Sequence, residues 1–228
     1  MSNSNLAVII PTLNEEEGIV PTIMEIKQTI ADARIIVVDG SSTDKTVELA
    51  KDFGVEIIAQ KGKGKGCAIS QSLSRITHET DYVAFIDADY TYPATNLDDM
   101  INILDLNPNI GMILGDRFSK SEKFGSEKNR FFAGNKLLAF IHNMFNGVKL
   151  NDPLTGLRVI RSELIRWWKP KSIGFDIEVE LNCHIARSGY NIVEIPIKYR
   201  PRLGKKKLGF RHGIEIFERI LTDFSEDF

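Results

Sequence analysis

The stretch DYVAFIDADYTYP, residues 81–93, decides the predicted fold of this chain. Its apolar part, residues 82–86, has the length and the β-branched and aromatic content of a buried strand. Asp87 and Asp89 follow directly after that strand. Ligands bind beyond the carboxyl ends of strands in open α/β sheets, and hard divalent ions prefer oxygen ligands, so the pair indicates a Mg²⁺ or Mn²⁺ site. A solvated turn or a helix cap is the alternative use of the same residues.

Predicted strands and helices alternate through the first half of the chain. The strands cover residues 6–10, 34–38, 55–59 and 82–86, and the helices after the first three end near residues 30, 53 and 77. This alternation is typical of a mostly parallel, twisted sheet with helices on both faces. Right-handed crossovers then bring three carboxylate-bearing loops to one sheet edge, namely residues 11–15, 39–44 and 87–89.

The second half is less regular. It contains predicted helices at 97–106, 131–148 and 213–224, strands at 111–115 and 192–199, a polar segment at 116–130 and a basic loop at 199–211. The last two helices carry apolar stripes that suit a bilayer surface, although packing against the core explains the same stripes. There is no linker and no internal repeat, so we predict a single α/β domain over residues 1–228.

The composition is that of an ordinary globular protein, with 43% hydrophobic and 26% charged residues. A formal net charge of -2 gives no reason to expect binding to nucleic acid. Cys67 and Cys183 lie far apart and no Cys/His cluster has zinc spacing, so we expect a reducing compartment. Residues 1–5 leave no room for a signal peptide, and no apolar run approaches the roughly 20 residues of a membrane span. We therefore expect a cytoplasmic protein that is soluble or peripheral to a membrane.

Two loops combine glycine with positive charge. KGKGKG, residues 61–66, lacks the ending of a P-loop and does not match GxGxxG, so it is either a lysine loop near a diphosphate or a mobile surface turn. The basic loop contains Arg200, Arg202, Lys205, Lys206, Lys207 and Arg211. Its interleaved proline and glycines suit a loop that closes over an anion, and a solvated face is the alternative.

Other polar segments have both a local and a chemical interpretation. Asp39 in DGSSTD is either a turn former or a hydrogen-bond acceptor for a ribose or a base. DPLTGLR, residues 152–158, and GFDIE, residues 174–178, are typical of a turn and an acidic helix start. The four histidines are scattered without evident partners, which favours structural roles.

Eight segments, taken in order, resemble the family 2 glycosyltransferases of GT-A fold and, within them, the dolichyl-phosphate sugar synthases. They are VIIPTLNEEEGI, IIVVDGSSTDKT, KGKGKG, FIDADYTYP, GDRF, DPLTGLRVIR, GFDIEVEL and YRPRLGKKKL. The resemblance covers nearly the whole chain. It implies a Rossmann-like nucleotide-sugar half over about residues 1–115 and an acceptor half with an amphipathic terminal helix over about 116–228.

The resemblance also implies roles for individual residues. The base and ribose site would be lined by Pro11, Leu13, Glu15, Val38 and Asp39, with Lys65 near it and Ala88 beside the ribose. The metal would be held by Asp87 and Asp89, with Asp89 the direct ligand and Thr91 the candidate third ligand. Donor or acceptor phosphates would be bound by Arg117, Arg130 and Arg202, and Lys207 would reach the diphosphate.

Three departures from the family pattern bear on substrate. Thr91 stands where mannosyl-type members often have Gln, Gly134 where some have Ser, and Asp176 where some have a basic residue. The TYP ending of DADYTYP is closer to members that use UDP-sugars, so UDP-N-acetylglucosamine or UDP-glucose is favoured over GDP-mannose.

The implied reaction is metal-dependent, inverting transfer of a hexose or N-acetylhexosamine to dolichyl or polyprenyl phosphate, for protein glycosylation or surface glycan assembly. Such an acceptor is already anionic and needs no general base. One rival is a family 2 enzyme acting on a sugar hydroxyl, with Asp176 or Glu178 as base. Others are a sugar-nucleotide pyrophosphorylase and a non-catalytic nucleotide-sugar-binding subunit.

Overall fold

Seven strands form one sheet in the computed structural model, which describes residues 4–119, 126–205 and 210–225. In chain order the strands are β1 (Leu6–Thr12), β2 (Arg34–Asp39), β3 (Glu56–Ala59), β4 (Tyr82–Phe85), β5 (Ile110–Asp116), β6 (Arg158–Arg161) and β7 (Asn191–Pro196). Their order across the sheet is β3-β2-β1-β4-β6-β5-β7. Four of the six pairings are parallel, and only β6 runs against its two neighbours. The predicted α/β fold with a mostly parallel sheet is therefore confirmed.

Eight α-helices connect or follow these strands in the described residues. They are α1 (Ile19–Thr29), α2 (Thr46–Lys51), α3 (Lys65–Ser72), α4 (Leu97–Leu106), α5 (Ser126–Asn146), α6 (Ser162–Ile165), α7 (Ile177–Arg187) and α8 (Phe210–Ser225). Short 3₁₀ turns occupy Leu73–Arg75 and Ala94–Asn96. In this part of the chain no helix combines the length and the apolar character needed to cross a membrane.

The two faces of the sheet bury separate hydrophobic clusters, because successive side chains of a strand point to opposite faces. One cluster joins Val8 and Ile10 of β1 to helices α1 and α4. The other joins Ile9 of β1 to α3 and α7. A third, smaller cluster packs α5 and α8 onto the outer side of α7, through Val179, Cys183, Ile216, Ile220 and their neighbours. Helices thus cover both faces, and α5 and α8 form an outer layer on one of them.

The antiparallel strand β6 was not predicted. Its sequence, RVIR, has only two apolar residues between arginines, which gives almost no strand signal. Phe85 at the end of β4 pairs with Arg158 at the start of β6. The loop that precedes β6 therefore lies at the edge where β1, β2 and β4 end.

Several boundaries differ from the predicted ones. The predicted strand 192–199 ends at Pro196, and the helix expected from residue 131 begins at Ser126. Helix α7 extends the acidic start seen in GFDIE into three turns whose buried face contains Leu181 and Ile185. Of the predicted polar segment 116–130, residues 120–125 lie outside the described part of the chain.

Gly18, the N-cap residue of α1, lies against the backbone of Ala88 and Asp89, shortly after β4. A Cβ atom at this position would lie 2.7 Å from Asp89 Cα and would clash with the carbonyl oxygen of Ala88. We expect Gly18→Ala to lower the free energy of unfolding by about 1–3 kcal/mol, because backbone atoms cannot move aside as a side chain can. Urea denaturation measures this loss. Gly134→Ala in α5 is the control, since its Cβ would meet nothing within 4 Å and alanine favours a helix. Equal losses in the two variants would contradict the close contact at Gly18.

Candidate functional site

A cavity of about 980 Å³ opens at the carboxyl edge of the sheet. This is the upper end of the range for small-molecule sites. Ten of the residues singled out from sequence line it: Pro11, Leu13, Glu15, Lys65, Asp87, Ala88, Asp89, Thr91, Arg117 and Arg202. Val38 and Asp39 are not among the lining residues. Lys207 and the side chain of Arg130 lie outside what the structure describes.

Asp89 is held by three donors. Its Oδ1 accepts hydrogen bonds from the backbone N and the hydroxyl of Thr91, at 3.1 and 2.6 Å. Its Oδ2 accepts one from Arg202 Nη1 at 2.5 Å. Burial, and then the negative charge of Asp87, raise the pKa of Asp89 above its usual value. The hydroxyl of Thr91 thus orients this carboxylate, and its part as a third metal ligand stays a prediction.

Asp87 shares a buried lysine with a carboxylate from a distant part of the chain. Lys65 Nζ lies 2.7 Å from Asp87 Oδ1 and 2.8 Å from Glu178 Oε1. Burial would favour the neutral forms, yet the charge of Lys65 holds the pKa of Asp87 below its usual value. The two carboxylates in turn raise the pKa of Lys65 above its ordinary value, although burial opposes this. Asp87 and Lys65 are therefore charged at neutral pH.

The loop after β7 is tied to the stretch that follows β4. Arg202 bridges Asp89 and Glu15, and the backbone N of Leu203 donates to the carbonyl oxygen of Asp89 at 3.1 Å. The backbone N of Arg200 donates to the carbonyl oxygen of Thr91 at 2.9 Å. The first part of the predicted basic loop therefore forms one wall of the cavity.

Arg117 lies at the end of β5 with its charge already paired. Its Nε and Nη2 donate to the two carboxylate oxygens of Asp152, each at 2.6 Å. Only 11% of the Arg117 side chain and 1% of the Asp152 side chain are exposed. Burial opposes the charge on Arg117, but Asp152 raises the pKa of its guanidinium well above the usual value. An anion that enters the cavity would therefore approach an arginine whose charge is already paired with Asp152.

The loop that holds Asp152 is anchored by a fully buried arginine at the start of β6. Arg158 donates to the carbonyl oxygens of Thr155 and Pro153 and to Asn182 Oδ1. Asn182 also contacts the Nε2 atom of the buried His142, whose pKa burial lowers to about 4. His142 is therefore neutral at pH 7, in keeping with the structural role expected for the histidines.

Val38 and Asp39, expected at the base and ribose site, are not among the residues that line the cavity. The Asp39 carboxylate accepts hydrogen bonds from the backbone N atoms of Ser41 and Ser42, at about 3.1 to 3.3 Å, and so forms a turn. Val38 is completely buried in the core. The turn itself reaches the cavity through Gly40 and Ser41. The assignment of Val38 and Asp39 to the base and ribose site stays a prediction.

Glu178 lines the cavity, and sequence reasoning gave it only a part in a rival reaction. Its pairing with Lys65 joins residues far apart in sequence, which no local pattern could reveal. Asp176, the other candidate base, accepts a hydrogen bond from Arg219 Nε at 3.0 Å and one from the backbone N of Gly174 at 3.1 Å. Both carboxylates are therefore held in ion pairs.

The charges around the two aspartates fit a divalent cation. Four carboxylates, Glu15, Asp87, Asp89 and Glu178, face two cations, Lys65 and Arg202, so two negative charges remain. Asp89 Oδ2 is bonded to the guanidinium of Arg202. In the described chain no three His, Cys, Asp or Glu side chains are arranged to hold a metal ion by themselves. Mg²⁺ sites that use one or two carboxylates are completed by phosphate or water.

Comparison with known proteins gives a consistent result. The model of the family Glycosyl transferase family 2 matches residues 7–167. The chain is 33% identical over 222 residues to a dolichyl-phosphate hexose transferase of Haloferax volcanii, and the match covers 95% of this chain and 92% of the relative. It is 26% identical over 232 residues to a dolichol-phosphate mannosyltransferase of Pyrococcus furiosus, covering 94% of this chain but only 61% of that protein.

A solved structure shares the fold. Glucosyl-3-phosphoglycerate synthase of Mycobacterium tuberculosis, crystallised with Mn²⁺, uridine diphosphate and phosphoglyceric acid, superposes with a TM-score of 0.77 at 21% identity. The superposition covers 97% of this chain and 79% of the synthase.

The buried pair of Arg117 and Asp152 provides a test of the site's framework. We expect Asp152→Asn to lower the free energy of unfolding by about 3 kcal/mol or more, because it leaves a buried guanidinium without its carboxylate. Glu56→Gln is the matched control. It breaks ion pairs with Arg34 and Arg75, whose side chains are 42% and 53% exposed, and exposed pairs contribute at most about 1 kcal/mol. Urea denaturation of both variants measures the difference, and similar losses would show that the buried pair is not needed for stability.

Proposed function

The chain belongs to glycosyl transferase family 2 and has the GT-A fold, and from this premise we propose that it transfers a sugar from a nucleotide-sugar to a polyprenyl or dolichyl phosphate. The relative of closely similar length, a dolichyl-phosphate hexose transferase, supports that acceptor class. The observation that carries the proposal is the cavity itself. It places two aspartates, within a group of four carboxylates and two cations, beside arginines suited to phosphate.

The proposed donor is a UDP-sugar, with UDP-glucose or UDP-N-acetylglucosamine ahead of GDP-mannose. Pro11 at the end of β1 and Leu13 and Glu15 after it line one wall of the cavity, and the turn at Gly40 and Ser41 extends the same wall after β2. This segment suits the base and ribose. The binding of uridine diphosphate by the similarly folded synthase supports the choice of base.

A divalent metal, Mg²⁺ or Mn²⁺, would be held by Asp89 and Asp87. When bound, it neutralises charge on the diphosphate leaving group. Arg202 contributes a guanidinium whose remaining donors can bind phosphate oxygens in a forked arrangement. Lys65 is bonded to two carboxylates, so it fixes Asp87 instead of contacting the diphosphate.

The acceptor is proposed to be a phosphate and not a sugar hydroxyl. A phosphate is anionic at neutral pH, so its oxygen attacks the anomeric carbon without a base to remove a proton. A hydroxyl needs such a base, and both candidates, Asp176 and Glu178, already bind cations through the carboxylates that would have to accept its proton. This arrangement favours the phosphate.

The reaction proposed is an in-line displacement with inversion. The bond between the anomeric carbon and the diphosphate oxygen breaks as the bond to the acceptor phosphate oxygen forms. The nucleoside diphosphate leaves with the electron pair, and an α-linked donor gives a β-linked lipid-phosphate sugar. Two anions must approach each other in this reaction, so fixed positive groups aimed at them lower the barrier.

The lipid acceptor implies work at a membrane surface, proposed to be the cytoplasmic face. After α5 and α8 pack together, each keeps an exposed apolar stripe, formed by Leu137, Phe140 and Met144 in α5 and by Ile214, Phe217 and Leu221 in α8. These side chains are 38% to 64% exposed. Asn135 of α5 and His212 of α8 line the cavity, so both stripes begin near it. This arrangement suits a peripheral protein that draws its acceptor from a bilayer.

The function is tested by incubating the purified protein with a short polyprenyl phosphate and labelled UDP-glucose, UDP-N-acetylglucosamine or GDP-mannose. We expect label to move into the organic phase with Mg²⁺ or Mn²⁺ and not with chelator. Asp89→Ala should lower the rate about a hundredfold or more, since it removes a group that fixes charge at the leaving diphosphate. Metal-independent transfer, or an unaffected Asp89→Ala variant, would contradict the metal assignment.

Two other outcomes of this assay have clear meanings. Metal-dependent donor binding without transfer to lipid, but with transfer to a sugar hydroxyl, would give the chain the rival acceptor. Donor binding without turnover on any acceptor would make it a nucleotide-sugar-binding subunit.

The membrane surface is tested by replacing one aromatic residue in each stripe, Phe140→Ser with Phe217→Ser. We expect about tenfold weaker partition into lipid vesicles that contain polyprenyl phosphate, because each phenyl group loses its burial in the bilayer. Vesicle sedimentation measures the bound fraction. Leu106→Ser is the control, since this exposed leucine lies on α4, which packs on the opposite face of the sheet. Unchanged partition of the double variant would argue against this surface.

A further inference from the structure

Glu178 is joined to the proposed metal site through a lysine. Lys65 Nζ contacts Asp87 Oδ1 on one side and Glu178 Oε1 on the other. The side chains of Lys65 and Glu178 are only 9% and 8% exposed. Between them, the two carboxylates share a single positive charge.

The backbone fixes the distance between Lys65 and α7. The N atoms of Gly66 and Cys67 donate to the carbonyl oxygens of Gly174 and Ile173, at 3.0 and 3.2 Å. A Cβ atom on Gly66 would lie 2.8 Å from the carbonyl carbon of Ser172. The start of α3 is therefore docked directly against the segment that leads into α7. The glycines of KGKGKG allow this close contact, and Lys65 faces Glu178 because of it.

The sharing of Lys65 determines the charge available to a metal ion. With Glu178 present, Lys65 and its two partners carry one net negative charge. If Glu178 were neutral, Lys65 would cancel the charge of Asp87 alone. The net charge of the four carboxylates and two cations of the site would then fall from two negative charges to one. A lysine without a second partner would also be drawn fully onto the carboxylate of Asp87.

We propose that Glu178 is a positioning residue that keeps Asp87 available to a divalent cation by holding part of the charge of Lys65. This inference rests on the proposed function, since it concerns the metal site of that reaction. Glu178 contacts neither metal nor substrate in this role. It acts through Lys65, and it is not a general base.

The test is a double-mutant cycle read out by metal binding. Mn²⁺ is titrated into the native chain, Glu178→Gln, Lys65→Gln and the double variant, alone and with UDP, and free Mn²⁺ is followed by electron paramagnetic resonance. We expect Glu178→Gln to weaken Mn²⁺ binding about 10- to 100-fold, the range for groups that orient metal ligands. In the Lys65→Gln background the same substitution should have a clearly smaller effect on the affinity, because the lysine through which most of the effect acts is gone.

Further measurements separate this role from a structural or a catalytic one. UDP binding in chelator should be the same in the native chain and in Glu178→Gln, whereas a general distortion of the cavity would weaken it. If Glu178→Gln does not fold, the double variant, which loses both charges together, carries the test, and it should bind Mn²⁺ as the native chain does. Glu178→Asp keeps the charge and should retain most of the affinity.

The inference fails if Glu178→Gln binds Mn²⁺ as tightly as the native chain, or if its effect is equally large without Lys65. Loss of turnover in Glu178→Gln with unchanged Mn²⁺ binding would identify a base and overturn it as well. If the native chain itself does not bind Mn²⁺ with or without UDP, the proposed metal site fails first. The native measurement thus distinguishes failure of the proposed function from failure of this inference.

Discussion

Two carboxylates one residue apart at the end of a buried strand repel each other, and the site around them gives each a cation as partner. Asp87 pairs with Lys65, and Asp89 with Arg202. The two cations lie far apart in the sequence, and each also binds a second carboxylate. Lys65 binds Glu178, and Arg202 binds Glu15. Since a buried charge without a partner is strongly unfavourable, this exchange of partners draws α3, α7 and the loop after β7 to one place.

The antiparallel strand β6 is the second device that builds the site. In a purely parallel sheet, only loops that follow strands reach the carboxyl edge. Because β6 runs in the opposite direction, the loop before it reaches that edge and brings Asp152 to Arg117 and Gly156 to the Tyr92 hydroxyl. Arg158, whose guanidinium is fully buried, fixes the loop with two hydrogen bonds to its carbonyl oxygens and a third to Asn182 of α7. A strand of four residues therefore positions Leu154 and Gly156 in the cavity wall.

Local sequence patterns predicted the strands that are continuous apolar runs and the residues that directly follow them. β1, β2 and β4 are continuous apolar runs, and the position of Asp87 and Asp89 follows from the end of β4. β6 was not predicted because arginines flank its two apolar residues. The burial of these arginines depends on partners in distant segments. The same is true of Glu178 and Lys65, whose pairing is a property of tertiary structure. The turn predicted for Asp39 in DGSSTD is present, since its carboxylate accepts a hydrogen bond from the backbone of its own turn.

The order of the strands in the sheet differs from their order in the chain, and this affects folding during synthesis on the ribosome. β4 has β1 on one side and β6 on the other, and β6 is made only after β5 and α5. Until residues 158–161 emerge, a nascent chain that has already folded its first four strands presents the open edge of a central, apolar strand. Pairing across so long a stretch of sequence is slow. During this interval the edge of β4 that later pairs with β6 has no partner, and such exposed apolar edges are prone to aggregation and are bound by chaperones.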